Sequence, residues 1–210
     1  MLCKLTIELE KKSEVYLSHH NSSLFQGVIM EQISEEYHQL ILPLMQENFS
    51  EVYLRHNAQH LAIQSKTLEQ ESMEHLLSRT FFAECPRFAE IQFITPCAFK
   101  TQGRYLFYPT IRHIFQSLIN KFDAGAHDFT VYTPELLSDL ENNISIVSYQ
   151  LRSTNFQMEG IKVPSFLGRI TLKIQGPMQL VNLVHMLLNY GAYCGVGIKS
   201  AIGMGAIALV

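Results

Sequence analysis

The chain has 210 residues, of which 47% are hydrophobic and 17% charged, and a formal net charge of −3. This length fits one large domain or two of about 100 residues, and no apolar run approaches the ~20 residues that span a bilayer. Its four cysteines form no C-x-x-C pair, so we expect buried thiols in a reducing cytoplasm, no metal site, no other cofactor, no secretory leader and no membrane association.

The first elements predicted along the chain are a strand and a long helix. Apolar residues alternate with polar ones over Leu5–Leu9, which predicts a half-buried strand. Ser23-x-x-Gln26 is typical of a capping box, and apolar residues recur at helical spacing from Phe25 onward. Because Pro43 disfavours helical geometry at the preceding residue, we expect the helix to end or kink at Leu42.

The rest of the first half completes a βαββαβ order. We predict strands around Glu51–Arg55 and His60–Gln64, a helix around Leu68–Ser78 and an extended segment near Phe81–Phe82. This order is that of one ferredoxin-like unit.

The second half repeats the order with an insertion. The predicted elements are a strand at Ile91–Thr95, a helix at Pro109–Phe122, a hairpin of Ile144–Met158 with Ile161–Ile174, a helix from Gly176-Pro177 to Gly191, and a strand at Ala206–Val210. Asp123–Asn143 is the insertion, with a short helix at Pro134–Leu140. We therefore predict an α+β fold of two tandem ferredoxin-like (βαββαβ, RRM-like) domains, residues 1–86 and 87–210.

Charge is distributed unevenly between these two predicted domains. Residues 1–86 carry 6 Lys and Arg against 12 Asp and Glu, a net of −6, whereas residues 87–210 carry 10 against 7, a net of +3. From residue 142 onward there are five basic residues and one acid. Nucleic acid responds to local basic surface more than to global charge, so the second domain is the candidate for phosphate contact.

A glycine-rich segment near the end of the chain, residues 195–205 and hereafter the glycine loop, pairs two G-x-G motifs around Lys199 and Ser200. Glycine tolerates positive φ and close backbone approach, so the spacing fits a loop whose amides face a phosphate. It fits a tight corner before a strand equally well. A Walker A loop is excluded because Ile198 precedes Lys199, and a dinucleotide fingerprint is excluded because a helix precedes the loop.

Several phrases of the sequence resemble the CRISPR-associated endoribonucleases that process precursor CRISPR RNA, in the repeat-associated RAMP superfamily. These phrases are Leu24-Phe25-Gln26-Gly27-Val28-Ile29-Met30, Thr95-Pro96-x-x-Phe99-Lys100-x-x-Gly103, Tyr108-Pro109 with Ile114-Phe115, Val163-Pro164-Ser165-Phe166-x-Gly168, and the glycine loop. They cover most of the chain and are most similar to members that accompany type III-A systems.

The resemblance implies a metal-independent cleavage of RNA within CRISPR repeats. The 2′-hydroxyl attacks the adjacent phosphate, which leaves a 2′,3′-cyclic phosphate and a 5′-hydroxyl. Such a reaction needs a general base, a general acid and positive charge beside the phosphorane, and histidine can act as either base or acid.

The sequence departs from the family's pattern at one position: Leu42 stands where related type III-A-like members have the catalytic histidine. His38, one helical turn earlier, is the first candidate to replace it, and His19 and His20, in the loop before the helix, are the others. The alternative is a catalytically inactive member that only binds CRISPR RNA or acts as a structural subunit of an effector complex.

The expected RNA contacts lie in the second domain. They are Gly195, Gly197, Lys199, Ser200, Gly203 and Gly205 of the glycine loop, and the cations Lys100, Arg104, Lys162 and Arg169. Arg112 and Lys121 are secondary candidates, and for Phe166 we expect core packing rather than stacking on a base. The partners that we consider are CRISPR repeat RNA, a second copy of the chain and a type III effector complex.

Overall fold

The fold comes from a computed structural model that describes residues 1–11, 24–26, 28–29, 42–54, 59–125, 130–158 and 160–210. These residues form two compact units, Met1–Glu71 and Ser72–Val210. Among the described residues, no helix has both the length and the apolar character that a membrane crossing requires.

The first unit contains a three-stranded antiparallel sheet. Its strands are β1 (Leu2–Lys11), β2 (Glu51–Leu54) and β3 (Gln59–Glu71), in the order β1-β3-β2. Residues 24–26 and 28–29 are helical, as is α1 (Leu42–Met45). The centre of this unit is an apolar cluster of Leu44, Phe49, Val52, Leu54 and Leu61, against which Leu5, Ile7 and Phe25 pack.

Two predictions in this half were wrong. Leu68–Glu71 is not the first turn of a helix, because β3 continues to Glu71 and pairs with the whole of β1, with Leu68 opposite Leu5. The helix α2 (Met73–Thr80) begins only after Ser72, whose side chain accepts a hydrogen bond from the amide of His75 at 3.0 Å. Phe81–Phe82 is not extended, because the Phe82 amide donates to the Leu77 carbonyl at 3.1 Å.

Leu42, where the first helix was predicted to end or kink, is itself the first residue of the helical segment α1. Helical geometry includes Leu42 and Pro43 and continues through Met45, so Leu42 is not the last helical residue. Residues 30–41 lie outside the described part of the chain.

The second unit contains a four-stranded antiparallel sheet with helices. Its strands are β4 (Phe88–Cys97), β7 (Ile144–Met158), β8 (Ile161–Ile174) and β9 (Ile207–Leu209), in the order β7-β8-β4-β9. A small hairpin that the sequence did not predict, β5 (Phe99–Thr101) with β6 (Arg104–Leu106), follows β4. The helices are α3 (Ile111–Gly125), α4 (Leu136–Asn143) and α5 (Met178–Cys194).

The hydrophobic spacing in this half predicted most of the core. The stripe predicted on α3 is Ile111, Ile114, Phe115, Leu118 and Ile119; the last four are fully buried and Ile111 is half-buried. The predicted hairpin limits, Ile144–Met158 and Ile161–Ile174, are those observed. Phe166 is buried and its ring centroid lies 4.8 Å from that of Phe93, which confirms core packing.

The predicted end of the last helix at Gly191 was wrong. Gly191 is inside α5, where a Cβ would lie 2.7 Å from Leu118 Cδ2 and 2.9 Å from Ile207 Cδ1. This glycine therefore allows close packing rather than ending the helix. The helix ends at Gly195, whose φ is 70° and whose amide donates to the Gly191 carbonyl at 2.8 Å.

Together the sheets and helices confirm the predicted α+β class of two ferredoxin-like units. The segment after Glu71 belongs to the second compact unit, because α2 packs on α5 and Asn182 of α5 donates to the Phe81 carbonyl at 3.0 Å. The domain boundary between residues 86 and 87 stays a prediction about which segments fold together.

Candidate nucleic-acid interface

The glycine loop connects α5 to β9 and turns sharply several times. Positive φ occurs at Gly195, Gly197, Lys199, Gly203 and Gly205, and a single 3₁₀ turn spans Ser200–Ile202. Positive φ in a non-glycine residue is uncommon, so the left-handed geometry at Lys199 marks a loop whose path is tightly determined by its surroundings.

Gly205 shows why the loop needs glycine at a specific position. Its carbonyl accepts a hydrogen bond from the Val196 amide at 2.7 Å, and its own amide donates to the Pro96 carbonyl at 2.9 Å. A Cβ built at Gly205 would lie 1.8 Å from the Val196 carbonyl oxygen. Only a residue without a side chain permits this close approach.

Most amides of the glycine loop are already bonded within the protein. The Gly197 amide donates to Ser117 Oγ at 2.8 Å and the Ile198 amide to the Ala98 carbonyl at 3.0 Å. In the described part of the chain, the amides of residues 199–201 have no acceptor. Most of the loop is therefore a bonded corner, and the amides open to a ligand are confined to these three residues.

The apolar side of the loop is held by a small core. Ala98, Phe156, Val163 and Met204 are buried together, and Tyr105, Met158, Ile198 and Ile202 pack around them. Through this cluster, the part of the β7–β8 hairpin nearest its turn packs against the glycine loop and holds it in place.

Lys121 of α3 anchors the start of the loop. Its Nζ donates to the carbonyls of Cys194 and Gly195, at 3.2 and 2.9 Å, and to Ser200 Oγ at 2.9 Å. The three ammonium donors are thereby used, and two of them satisfy carbonyls at the C-terminus of α5, where a cation is favoured. Lys121 was predicted only as a secondary RNA contact. No local pattern signals its anchoring role, because the partners lie more than 70 residues away.

Burial shifts the pKa of the ionisable groups around this anchor. Burial lowers the pKa of Lys121, partly opposed by the nearby Cys194 and Cys97. Burial also raises the pKa of Cys97 to about 12 and that of Cys194 to about 11. Both thiols are therefore neutral near pH 7.

Two predicted RNA contacts lie on the β5–β6 hairpin. Lys100 and Arg104 are both exposed, on opposite strands of a turn in which Gln102 and Gly103 have positive φ. The Lys100 Nζ lies 5.9 Å from the centre of the Tyr105 ring. Lys100 also lines a cleft with Gly197 and Ile198, so the structure brings it next to the glycine loop.

The other predicted cations are placed differently. Lys162 is exposed on β8 beside Val163, which belongs to the cluster below the loop. Arg169 lies farther along β8 and donates to Glu90 Oε1 at 3.2 Å. Arg112 donates to Glu141 Oε2 at 2.8 Å. The two arginines thus have acidic partners already.

The predicted catalytic histidines, His38, His19 and His20, lie outside the described residues. Within the described residues, no cluster of three or more His, Cys, Asp or Glu side chains could hold a metal ion.

Comparison with known proteins identifies the family. The model of the family described as "CRISPR-associated endoribonuclease Cas6" matches residues 91–207, which include most of β4, the β5–β6 hairpin and the whole glycine loop. The chain belongs to the Cas6 family.

Two curated Cas6 endoribonucleases are similar over most of the chain. The Streptococcus thermophilus protein is 33% identical over 149 residues, covering 71% of this chain and 61% of its own length. A Mycobacterium tuberculosis Cas6 is 30% identical over 204 residues, covering 96% of this chain and 64% of its own length. The chain therefore spans slightly under two thirds of the length of the curated relatives that it matches.

A solved structure agrees with the fold. A Cas6 product complex from Thermus thermophilus superposes with a TM-score of 0.79 at 17% identity and covers 100% of both chains. At this identity the similarity shows that the two chains share the Cas6 architecture.

Proposed function

We propose that this chain binds CRISPR repeat RNA and cleaves precursor CRISPR RNA within the repeats. The observation that carries the proposal is the glycine loop. Three amides without an acceptor among the described residues, 199–201, follow each other beside the Lys199 side chain, and the exposed Lys100 lies next to the loop. Consecutive free amides next to cations favour phosphate oxygens.

The proposed reaction needs no metal. The 2′-hydroxyl upstream of the scissile bond attacks the phosphorus, the bond to the 5′-oxygen breaks, and the products carry a 2′,3′-cyclic phosphate and a 5′-hydroxyl. His38 would act as the general acid or base, with His19 and His20 as the alternatives. Lys199 would supply positive charge beside the phosphate.

The structure supports two different roles for residues of the glycine loop: some give the loop its shape, and others contact the RNA. Gly195, Gly197, Gly203 and Gly205 give the loop its turns, and their amides donate to groups of the protein. We assign direct phosphate contact to Lys199, Lys100, Arg104 and Lys162, and place Arg169 at the edge of the bound RNA because it shares its charge with Glu90. Ser200 would contact RNA through its hydroxyl hydrogen, since its Oγ accepts from Lys121.

A second candidate function rests on Leu42. An apolar residue at the position of the family's catalytic histidine favours a chain that binds repeat RNA without cutting it, or that serves as a structural subunit of an effector complex. Homodimerisation, a transient link to a type III effector complex and a cytoplasmic location are further parts of the proposal.

One experiment separates the two functions. The purified chain is incubated with 5′-labelled repeat RNA in buffer containing EDTA, and both band shift and cleavage are measured. Cleavage that ends in a cyclic phosphate supports the nuclease, whereas RNA that is shifted but intact supports the inactive binder. RNA that is neither shifted nor cut contradicts the nuclease and the inactive binder and leaves the structural subunit.

A further inference from the structure

A cleft with polar and apolar walls lies between α3, the β5–β6 hairpin and the start of the glycine loop, entirely within the second unit. Its volume is about 290 Å³. The lining residues are Phe99, Lys100, His113, Gln116, Ser117, Asn120, Lys121, Gly197 and Ile198. None of the described residues that line it is acidic.

The hydrogen-bonding groups of α3 that line the cleft are held in place by their neighbours. His113 Nδ1 lies 2.7 Å from Thr110 Oγ1, and its ring lies 5.7 Å from that of Phe99. Gln116 Nε2 donates to Asn120 Oδ1 at 2.8 Å. These bonds leave the Gln116 carbonyl oxygen, the Asn120 amide nitrogen and His113 Nε2 without a partner in the described part of the chain.

The result is a row of donors and acceptors with fixed spacing along one face of a helix. Gln116 offers an acceptor and Asn120 offers donors about one turn away. Side-chain amides that present a donor and an acceptor together match the edge of a nucleobase. Phe99 and Ile198 give the cleft apolar walls, which suit the faces of such a base.

The positive charge that is free to bind a ligand lies at the mouth of the cleft rather than deep inside it. The ammonium donors of Lys121 are taken by Cys194, Gly195 and Ser200, so this residue contributes charge but no free hydrogen bond. Lys100 is exposed and its ammonium contacts no acidic group of the described residues. A phosphate at the mouth of the cleft would therefore meet Lys100 first.

We propose that this cleft binds a single unpaired nucleotide, with its base edge on Gln116 and Asn120 and its phosphate on Lys100. The volume lies near the lower end of the ~300–1,000 Å³ typical of small-molecule sites, which suits one nucleotide and excludes a duplex. Protein recognition of RNA sequence commonly takes such unstacked bases. The inference rests on the proposed function for its source of nucleotide, which is the bound repeat RNA.

The test combines a scan of the RNA with variants of the cleft. Binding is measured by fluorescence anisotropy for labelled repeat RNA and for a set of the same RNA with one abasic nucleotide at each position in turn. The variants are Asn120→Ala and Gln116→Ala. The matched control is Asn142→Ala, which makes the same change at an exposed residue of α4, and thermal melting verifies that each variant is folded.

We expect one abasic position to weaken binding to the unaltered chain by about 3- to 10-fold, the effect of one lost hydrogen bond. Asn120→Ala should weaken binding to intact RNA by a similar factor, and the sensitive abasic position should then have no further effect. Asn142→Ala should behave as the unaltered chain. Cleft variants that bind every RNA as tightly as the unaltered chain, or factors that simply multiply, would overturn the proposal.

A second experiment tests whether the nucleotide comes from RNA or is a free mononucleotide. It also separates failure of the cleft proposal from failure of the proposed function. AMP, CMP, GMP and UMP are titrated into the unaltered chain and into Asn120→Ala, with NMR chemical shifts as the readout. Binding of a mononucleotide that Asn120→Ala abolishes, together with a flat abasic scan, would overturn RNA as the source. If the unaltered chain binds no repeat RNA, the proposed function fails, and the titration alone then supports or overturns the cleft as a nucleotide site.

Discussion

The ammonium of Lys121 donates a hydrogen bond to Ser200 Oγ at 2.9 Å, although the two residues are 79 positions apart in the sequence. The same ammonium satisfies two carbonyls at the end of α5. One side chain of α3 therefore closes the last helix and fixes the start of the 3₁₀ turn. The position of the amides at residues 199–201 depends on it.

Lys121→Met should destabilise the second unit and weaken RNA binding together. Leaving carbonyls unsatisfied costs about 1–3 kcal/mol each, so melting temperature should fall by several degrees, at roughly 2–4 °C per kcal/mol. Lys173→Met, at an exposed position of β8, is the control for the loss of a charge. Equal melting temperatures for the two variants would contradict the anchoring role.

Gly205→Ala should deform the glycine loop. The new Cβ would lie 1.8 Å from the Val196 carbonyl at a φ of +70°, so backbone must move, and we expect a loss of at least about 2 kcal/mol in unfolding free energy. Gly103→Ala is the matched control, because it has a φ of +79° and open space around its Cβ. Urea denaturation should show about 1 kcal/mol for the control; a loss as small as that at Gly205 would refute the steric explanation.

Lys199→Ala should weaken repeat RNA binding and make it less dependent on salt. Each phosphate contact on a single strand adds about 0.7 to the slope of log affinity against log salt concentration. We therefore expect the slope to decrease by roughly that amount in a titration from low to high salt, with Lys173→Ala unchanged. An affinity equal to that of the unaltered chain at every salt concentration would remove Lys199 from the interface.

His185 should make the second unit sensitive to acid. Its Nε2 lies 2.7 Å from the Pro86 carbonyl, and burial lowers the pKa of this histidine below 6.5, with the hydrogen bond to Pro86 opposing the shift. Between the lowered pKa and 6.5 the unfolded chain binds more protons than the folded one, so the free energy of unfolding rises with pH.

The variant His185→Gln retains a donor for Pro86 and removes the titration. Urea denaturation at several pH values should show that acidification below pH 6.5 destabilises the unaltered chain more than the variant. His60→Gln, at an exposed position of β3, is the control and should retain the dependence. Identical pH profiles for all three chains would show that His185 does not contribute.

His38→Ala should reduce the rate of repeat RNA cleavage by at least ~100-fold, the loss expected for a general acid or base. Single-turnover cleavage is the measurement, and binding affinity should stay within a small factor. A normal rate in this variant would transfer the role to His19 or His20, each tested by the same substitution.

Local sequence patterns predicted the parts of the fold that depend on neighbours along the chain. Four of the five predicted α3 stripe positions, from Ile114 to Ile119, and the limits of the β7–β8 hairpin follow from periodicity and a turn, and they are observed. The wrong predictions concern residues whose conformation depends on a partner that is distant in the sequence. Residues after Leu68 extend β3 because β1 is long enough to pair with them, and Gly191 stays helical because Leu118 and Ile207 need its space.

In the candidate site, too, some properties follow from consecutive residues and others follow only from the fold. The two ferredoxin-like repeats, the basic second half and the glycine loop could be predicted from the sequence, because hydrophobic periodicity, charge and glycine spacing are properties of consecutive residues. The fold was needed to show which loop amides remain open, that Lys121 holds the loop, and that Gln116 and Asn120 share a cleft with Lys100. These properties depend on hydrogen bonds and packing between segments that are distant in the sequence and become neighbours only when the chain folds.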